Sequence, residues 1–528
     1  MQLASSSTHP TTSGSRPVAL LGKRLDLVLG FSVFILSFTL YIRTLAPSLL
    51  YDDSAEFQTI SYTLGMGHPT GYPIYILLAK LFTLLPFGEV AFRVNLFSAF
   101  FAALTVVLIY LILRELGAMS IPSIFGALTL AITSLFWKHA SIAEIYTLST
   151  ACLASILFAV FRWRETSNSR WLAIAGLAGG LSLGVHTIVA LSGISILLYL
   201  ILSARRRVEW LHALLGAGIG VVLFLAAFLF LDLRNSPAGY YNAVVIPSLS
   251  VWGMTPSDFD SPFERFVFLY YPPQFKGQFF SVGFDQVKAR VIDFAREDAW
   301  SRWLGLLGFI TLMIPRKLSP ARWREATLLI VAFITFLIFA VTYDVDDFRV
   351  FYIPAILILV IFGGMGVNAI MEVVIWIQSL PRFIPALLGI SILILPLYAS
   401  ATDISTAWKT RIPPMVEDWE AYDGSPSESQ LEAEQVLSRI EDNAIVFTSW
   451  DKLYGFYYVS HIMQGRTEID FHEAYPQEGV TKFADSAIQY IEANIDRRPI
   501  YFTSRPTELG AYYKITRRAL GLFQLERK

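Results

Sequence analysis

The chain of 528 residues is 55% hydrophobic and only 16% charged, against roughly a quarter charged in soluble proteins, which excludes a disordered chain and argues against a soluble multidomain enzyme. A net charge of −1 leaves no bulk basic character, so nucleic acid is not an expected partner, and the single cysteine, Cys152, excludes an internal disulfide framework and a cysteine-based zinc site. With a mean hydropathy of +0.53, a polytopic protein embedded in a lipid bilayer remains.

Met1 to Arg16 is rich in Ser, Thr, His and Pro and has no apolar face, so residues 1–22 read as a disordered cytoplasmic tail. No small-residue cleavage site follows the first apolar run, so it is not a secretory signal. That run, Leu27–Ile42, predicts the first membrane helix, and Lys23 with Arg24 before it predicts a cytoplasmic N-terminus. Further apolar runs follow at Val94–Leu113, Ile121–Trp137, Ile145–Phe161, Trp171–Leu202, Trp210–Leu231, Trp303–Ile314, Ala326–Val341, Phe351–Ile377 and Ile384–Tyr398. Trp171–Leu202 is too long for one span and is split into a hairpin turning near His186, which brings the total to about eleven spans of ~20 residues each.

Ile74–Leu85 is apolar but short, and Lys80 sits inside it. If it does not cross, then Arg114, Arg162, Arg205 to Arg207, Arg316 and Arg382 all fall on the cytoplasmic side with Lys23 and Arg24. If it crosses, every later basic loop lands outside, against the positive-inside bias. The segment is therefore expected to lie at or dip into the outer interface. In this topology a first outer loop, 46–92, the turn Lys138–Glu144, a long outer loop, 232–302, and the turn Tyr343–Arg349 face outward. Residues 23–400 form the membrane part and 401–528 follow outside it. This C-terminal part is richer in charge and alternates helical patterns (Ser429–Ile440, Thr481–Ile495) with short apolar strands (Ala444–Thr448, Ile500–Thr503). It predicts a small extracytoplasmic α/β domain beyond the plasma (inner) membrane.

The first outer loop reads Tyr51-Asp52-Asp53-Ser54-Ala55-Glu56-Phe57, then Leu64-Gly65-Met66-Gly67-His68-Pro69-Thr70-Gly71-Tyr72-Pro73. Ser54 or Asp53 can cap a helix running to about Leu64. Asp53 and Glu56, three apart, share one face of it, and the Gly and Pro residues force a turn. A capped amphipathic helix and a turn would account for the pattern. Against that stands the concentration of two adjacent acids, a third acid and a histidine beside the membrane, where charge is otherwise rare in this chain.

The Asp-Ser-small-Glu-aromatic run, the Leu-Gly-x-x-His-Pro-x-Gly-Tyr-Pro segment and Arg93-Val94-Asn95-Leu96 resemble the GT-C superfamily of polytopic glycosyltransferases. The likeness is greatest to the branch of the endoplasmic-reticulum protein O-mannosyltransferase of plexin-type receptor domains and its bacterial relatives. It continues at Phe136-Trp137, Ala143 to Leu148 and Gly180 to His186, and more weakly at Leu231 to Arg234, Asp346 to Pro354 and Ile445 to Asp470. Thr70 stands where the family often has a second Pro and Ala55 where it often has Gly; neither change removes an ionisable group.

The resemblance implies an all-α GT-C-like membrane domain and an inverting transfer of a sugar, mannose by the likeness, from a polyprenyl-phosphate donor. The acceptor would be a hydroxyl, that of Ser or Thr in exported protein, reached at the outer membrane face. Asp53 matches the family's catalytic acid, with Glu56 and His68 beside it. A hydroxyl is a poor nucleophile, so a carboxylate within hydrogen-bond reach must take its proton. The departing lipid phosphate needs cations or donors, for which Lys80, Arg93, Arg234 and His186 are candidates, with Arg349 further along. Lys80 and Arg93 equally suit snorkelling anchors, Arg234 a structural helix end, and His186 a satisfied turn residue. Glu144 and Tyr146 are candidate substrate contacts, or a dipole-favoured helix start and an aromatic-belt residue. Tyr240 and Trp252 can stack on a sugar or anchor the interface. No metal ligand set is assigned; Asp344, Asp346 and Asp347 with Asp52 or Glu56 can hold a divalent cation, or form a solvated turn. A transporter or lipid flippase, or a non-catalytic scaffold, are the competing readings, but no internal repeat and no midplane charge supports transport.

Overall fold

The computed structural model describes residues 15–297, 299–315, 321–377, 381, 383–416, 426–476 and 482–528. The first 14 residues of the tail, Arg316, Arg382 and Thr481 thus lie outside the described residues, and the first helix starts at Ser15, inside the segment read as tail.

The membrane part is helical throughout: α1 (Ser15–Arg43), α2 (Asp52–Thr63), α3 (Pro73–Thr83), α4 (Val90–Glu115), α5 (Ser120–Ala131), α6 (Ser134–Ala140), α7 (Tyr146–Thr166), α8 (Arg170–Ser182), α9 (Ser192–Ser203) and α10 (Arg207–Arg234). After the long loop come α13 (Ala299–Met313), α14 (Trp323–Thr342), α15 (Ile353–Trp376), α16 (Phe383–Ala399) and α17 (Ala401–Thr410); the loop itself carries α11 (Pro262–Tyr270) and α12 (Phe284–Glu297). Among the described residues, six helices are each long and apolar enough to cross a bilayer, namely α1, α4, α7, α10, α14 and α15. Two further pairs, α5–α6 bent by 68° and α16–α17 bent by 57°, qualify jointly. The run Ile121–Trp137, expected as one span, is therefore two helices bent at 132–133, a broken span or a re-entrant loop. At 1.5 Å per residue the 11 residues of α3 reach about 16 Å, half of the ~30 Å hydrocarbon, so α3 alone is too short to cross.

Without water to drive helices together, close backbone packing does the work in a bilayer. α8 and α10 meet through Gly176 and Gly180 against Gly216 and Gly220, so tightly that a Cβ on Gly216 would lie 2.0 Å from the Ala173 carbonyl oxygen.

The C-terminal part holds a five-stranded sheet of β1 (Ile445–Thr448), β2 (Asp470–Glu473), β3 (Ile500–Phe502), β4 (Tyr513–Ala519) and β5 (Leu522–Arg527), in the order β2-β1-β3-β5-β4. β1 runs parallel to β2 and β3, pairing Ile445 with Asp470 and with Ile500, and β5 is antiparallel to β3 and β4. Helices α18 (Glu428–Leu437), α19 (Trp450–Tyr457) and α20 (Asp485–Asn494) accompany it. Alternate residues of a strand face opposite ways. Ile445 and Phe447 pack with Phe483, Ile491 and Phe502, whereas Val446 joins a second cluster that runs on through Leu453 and Tyr457 to Phe57, Ile60 and Tyr75 of α2 and α3. The sheet thus shares a continuous apolar core with the helices that carry the acidic loop.

Candidate active site

α2 is set by burial. Every residue from Ser54 to Ser61 is buried, because the helix is wedged against α3, α4 and α19. The expected side-chain cap does not form. Tyr51 is the N-cap, no side chain caps the helix, and Asp53 is turned away towards the C-terminal domain. The helix ends at Leu64 in left-handed backbone, close to the expected boundary. The Gly-rich loop then folds back, with the Gly67 N–H donating to the Gly71 carbonyl at 3.2 Å and the Gly71 N–H to the His68 carbonyl at 2.6 Å. Gly71 needs its lack of a side chain: its φ is +79°, and a Cβ would lie 2.8 Å from Leu269 Cδ1.

This fold-back seats His68 on the face of α2 that Asp53 and Glu56 share. The His68 backbone N–H donates to Glu56 Oε1 at 2.8 Å, and the His68 Nδ1 contacts Glu56 Oε2 directly. His68 Nε2 lies 2.9 Å from the Tyr72 hydroxyl, which spends its own proton on the Pro69 carbonyl at 2.7 Å. With Nε2 donating to Tyr72 and Nδ1 facing a carboxylate, both ring nitrogens carry protons. Burial alone would push the ring pKa down; the Glu56 charge, then that of Asp53, overcome this and raise it to about 9. Glu56, fully buried, is the counter-ion of this imidazolium, with both carboxylate oxygens engaged by His68.

Asp53 differs. Its side chain is 41% exposed. Oδ1 accepts the indole N–H of Trp450 at 3.1 Å, and Oδ2 sits 4.0 Å from His68 Nε2 with no hydrogen bond among the described residues. Asp53 and His68 open onto a cavity of about 440 Å³, whose other polar lining includes His186, Lys276 and Asp347 and whose apolar lining includes Ile188, Leu191, Phe339 and Phe351. His186 Nδ1 accepts the Ile188 N–H at 3.1 Å, and burial drives its pKa down to about 3, so the ring is neutral with its proton on Nε2. Lys276 is exposed; its backbone N–H donates to the Pro273 carbonyl at 3.2 Å, and its ammonium makes no ion pair or hydrogen bond among the described residues. Burial, then the Asp53 charge, raises the pKa of Asp347. Burial, followed by Asp53 and Asp347, raises that of Glu144 well above the usual carboxylate range.

Residues 53–210 match the family model described as the N-terminal domain of protein O-mannosyl-transferase TMEM260. Over 164 residues the chain is 34% identical to protein O-mannosyl-transferase TMEM260 of Mus musculus, covering 30% of this chain and 23% of that protein. It is 22% identical over 129 residues to the protein of the same name from Dictyostelium discoideum, covering 24% of this chain and 16% of that one. The chain therefore spans less than a quarter of the length of these curated relatives. Among solved structures, ArnT from Cupriavidus metallidurans bound to undecaprenyl phosphate superposes with a TM-score of 0.56 at 11% identity, covering 94% of this chain and 97% of that one. The oligosaccharyltransferase of Archaeoglobus fulgidus gives 0.52 at 11% identity over 89% and 69%. The chain has the GT-C fold.

Within this GT-C fold, the matched segment begins at Asp53 and includes Glu56, His68, Glu144, Tyr146 and His186. Of the four cations or donors considered for a lipid phosphate, only His186 lines the cavity. Lys80 reaches the Tyr62 carbonyl at 2.5 Å and lies 4.3 Å over that ring, beside Arg234, while Arg234 donates to the Thr63 carbonyl at 3.3 Å. Arg93 closes the end of α3 by donating to the carbonyls of Thr83, Phe87 and Gly88 at 2.6, 2.9 and 2.7 Å. Each is drawn off by carbonyls at a helix end, where cations are favoured. Arg349 pairs with Asp293. Tyr146 lines the cavity, whereas Glu144 is half-buried outside that lining and has its backbone bracketed by Ser98. Tyr240 accepts from Gln274 at 3.0 Å and Trp252 packs edge-on to Phe268, both outside the cavity lining. Asp344 is held by Arg290 at 3.3 Å, and of its three carboxylates the acidic turn brings Asp347 to the cavity lining, together with Tyr343 and Val345. Ligand atoms of Asp53, Glu56 and His68 lie within 4.8 Å of one another, close enough to hold a cation. Metal bound there has to displace one of the two ring protons of His68, and with it the imidazolium charge that pairs with Glu56. Reasoning from sequence gave no role to Trp450 or Lys276.

Proposed function

We propose that this chain is a membrane glycosyltransferase that moves mannose from a polyprenyl-phosphate donor to the Ser or Thr hydroxyl of exported protein, with inversion, at the outer membrane face. In this reading residues 23–400 form the membrane domain with about eleven spans, some of them broken. Residues 401–528 lie outside the plasma (inner) membrane, and the donor lipid is drawn from the bilayer. The observation that carries it is Asp53: a carboxylate open to the cavity with one oxygen unbonded, beside a fixed imidazolium, in the segment that matches an O-mannosyl-transferase family.

Asp53 Oδ2 takes the proton of the acceptor hydroxyl as that oxygen attacks the anomeric carbon. The sugar passes through an oxocarbenium-like state and the phosphate leaves on the opposite side. The Lys276 ammonium balances its charge and the Nε2–H of neutral His186 donates a hydrogen bond to it, with the apolar lining beside them accepting the first isoprene units. His68 stays protonated and offsets the negative charge of Asp53, Glu56 and Asp347 around the developing cation. Glu56 serves as its anchor and not as a second base.

The test is turnover of purified protein with labelled polyprenyl-phosphate mannose and a Ser/Thr-rich peptide. Asp53→Asn should lower turnover by ~10²–10⁴-fold while donor affinity is kept. Near-normal turnover of Asp53→Asn would refute the reading. Donor crossing a vesicle bilayer without sugar release would replace it with a flippase.

A further inference from the structure

The C-terminal domain reaches this site through one helix. α19 lies along α2, and its register is fixed by buried hydrogen bonds. The Thr59 hydroxyl of α2 donates to the Tyr454 carbonyl at 3.0 Å, and the Ala91 N–H at the start of α4 donates to the Tyr458 hydroxyl at 2.9 Å. The Tyr457 hydroxyl is shared between the carbonyls of Pro237, at 3.0 Å, and Phe471, at 2.9 Å. A helix held at so many points cannot slide relative to α2.

Trp450 opens this helix, and its ring is fixed from three sides. His68, Tyr240 and Tyr454 meet it at interplanar angles of 87°, 75° and 82°, with centroids 5.8, 6.1 and 5.3 Å away. Edge-to-face contacts of this kind favour one ring orientation. In that orientation the indole N–H points at Asp53 Oδ1, 3.1 Å away. The Asp53 carboxylate has no other hydrogen bond among the described residues: it does not cap α2, and His68 Nε2 is 4.0 Å from its second oxygen. An aspartate so exposed would otherwise exchange between rotamers. The indole is donor only, so it can fix the carboxylate without competing for a proton.

We propose that Trp450 is a positioning residue for Asp53: its N–H holds Oδ1 so that Oδ2 stays aimed into the cavity, and the C-terminal domain thereby completes the catalytic site. The inference rests on the reading of Asp53 as the base. It adds that the base is set by a group from the far end of the chain, and it predicts which kinetic constant that group controls. Donor binding is made by other residues, so loss of the N–H should leave the donor KM alone and act on kcat.

The experiment uses the full chain. Trp450→Phe keeps an aromatic ring against His68, Tyr240 and Tyr454 but removes the donor. A benzothienyl analogue of tryptophan, placed at 450 by codon suppression, keeps the shape and replaces only N–H by sulfur. A ring-fluorinated tryptophan at the same position keeps the N–H. Misplacing a reacting group by about 1 Å costs ~10²-fold. Trp450→Phe and the benzothienyl analogue should therefore each lower kcat by ~10–10²-fold with donor KM within about twofold and the thermal midpoint kept, and the fluorinated ring should restore kcat. Asp53→Asn is measured alongside. If it abolishes turnover while the benzothienyl analogue turns over normally, the base stands and the role of Trp450 falls. If the fluorinated and benzothienyl rings lose kcat equally, Trp450 matters through packing and the proposal is wrong. If Asp53→Asn retains turnover, the base reading fails first and the positioning role with it.

Discussion

Glu56→Gln tests the electrostatics of the site most directly. Glutamine keeps the shape of the side chain and can still accept the His68 backbone N–H, but it removes the charge that pairs with the imidazolium. The rise of the His68 pKa from 6.5 to about 9 corresponds, at ~1.36 kcal/mol per pH unit, to about 3 kcal/mol of preference for the charged ring. Burial opposes that rise, and Glu56 is the largest of the three charges, with Asp53 and Glu144, that produce it. Because folding raises this pKa, the pair stabilises the protein fully below pH 6.5, progressively less as pH rises, and not at all above about pH 9. Thermal unfolding in detergent from pH 6 to pH 10 should therefore show the wild type losing stability across pH 6.5 to 9. Glu56→Gln should start lower, by most of that ~3 kcal/mol, and show little slope over the window. A variant with the wild-type midpoint at pH 6 and the same slope would show that His68 is not held as an imidazolium by Glu56.

Lys276→Ala should raise the donor KM about tenfold or more with kcat nearly unchanged, whereas Arg93→Ala should lower the thermal midpoint, since three carbonyls lose their donor, and leave donor KM alone. A change of donor KM in Arg93→Ala but not Lys276→Ala would reverse the assignment. Gly71→Ala forces a side chain into left-handed backbone and against Leu269, so it should cost about 1–3 kcal/mol of stability and displace His68; unfolding and turnover measured together check it.

What was legible in the sequence is what the chain encodes locally. Asp53 and Glu56 stand three apart on a helix, and a Gly- and Pro-rich turn 12 residues on returns His68 to them, so all three could be placed together from spacing and likeness alone. The candidate phosphate cations were misplaced because position near an interface says nothing of direction. Lys80, Arg93 and Arg234 each had backbone carbonyls within reach, and those won. Lys276 lies in a loop with no pattern of its own. In the C-terminal domain the apolar runs found β1 and β3, the strands in which every residue is buried. β4 and β5 escaped because Lys514, Arg517, Arg518, Glu526 and Arg527 make them half-solvated and break any apolar run. The likeness between Ile445 and Asp470 included Trp450 but gave it no partner, since that partner is 397 residues away.

That separation has a consequence in time. Ribosomes add ~5–20 residues per second, so about 20–80 s pass between the making of Asp53 and the making of Trp450. Throughout this interval the helix bearing the carboxylate can be finished while the indole that orients it does not yet exist. The sheet must also form, because β1 joins the apolar cluster that reaches α2 and so seats α19. If Trp450 positions Asp53 as proposed, a nascent chain therefore turns over ~10–10²-fold more slowly than the finished one even when its membrane helices are in place. On the proposed function, full turnover comes only after β4 and β5 have been made and the sheet has closed against the bundle, so that an interrupted copy works slowly.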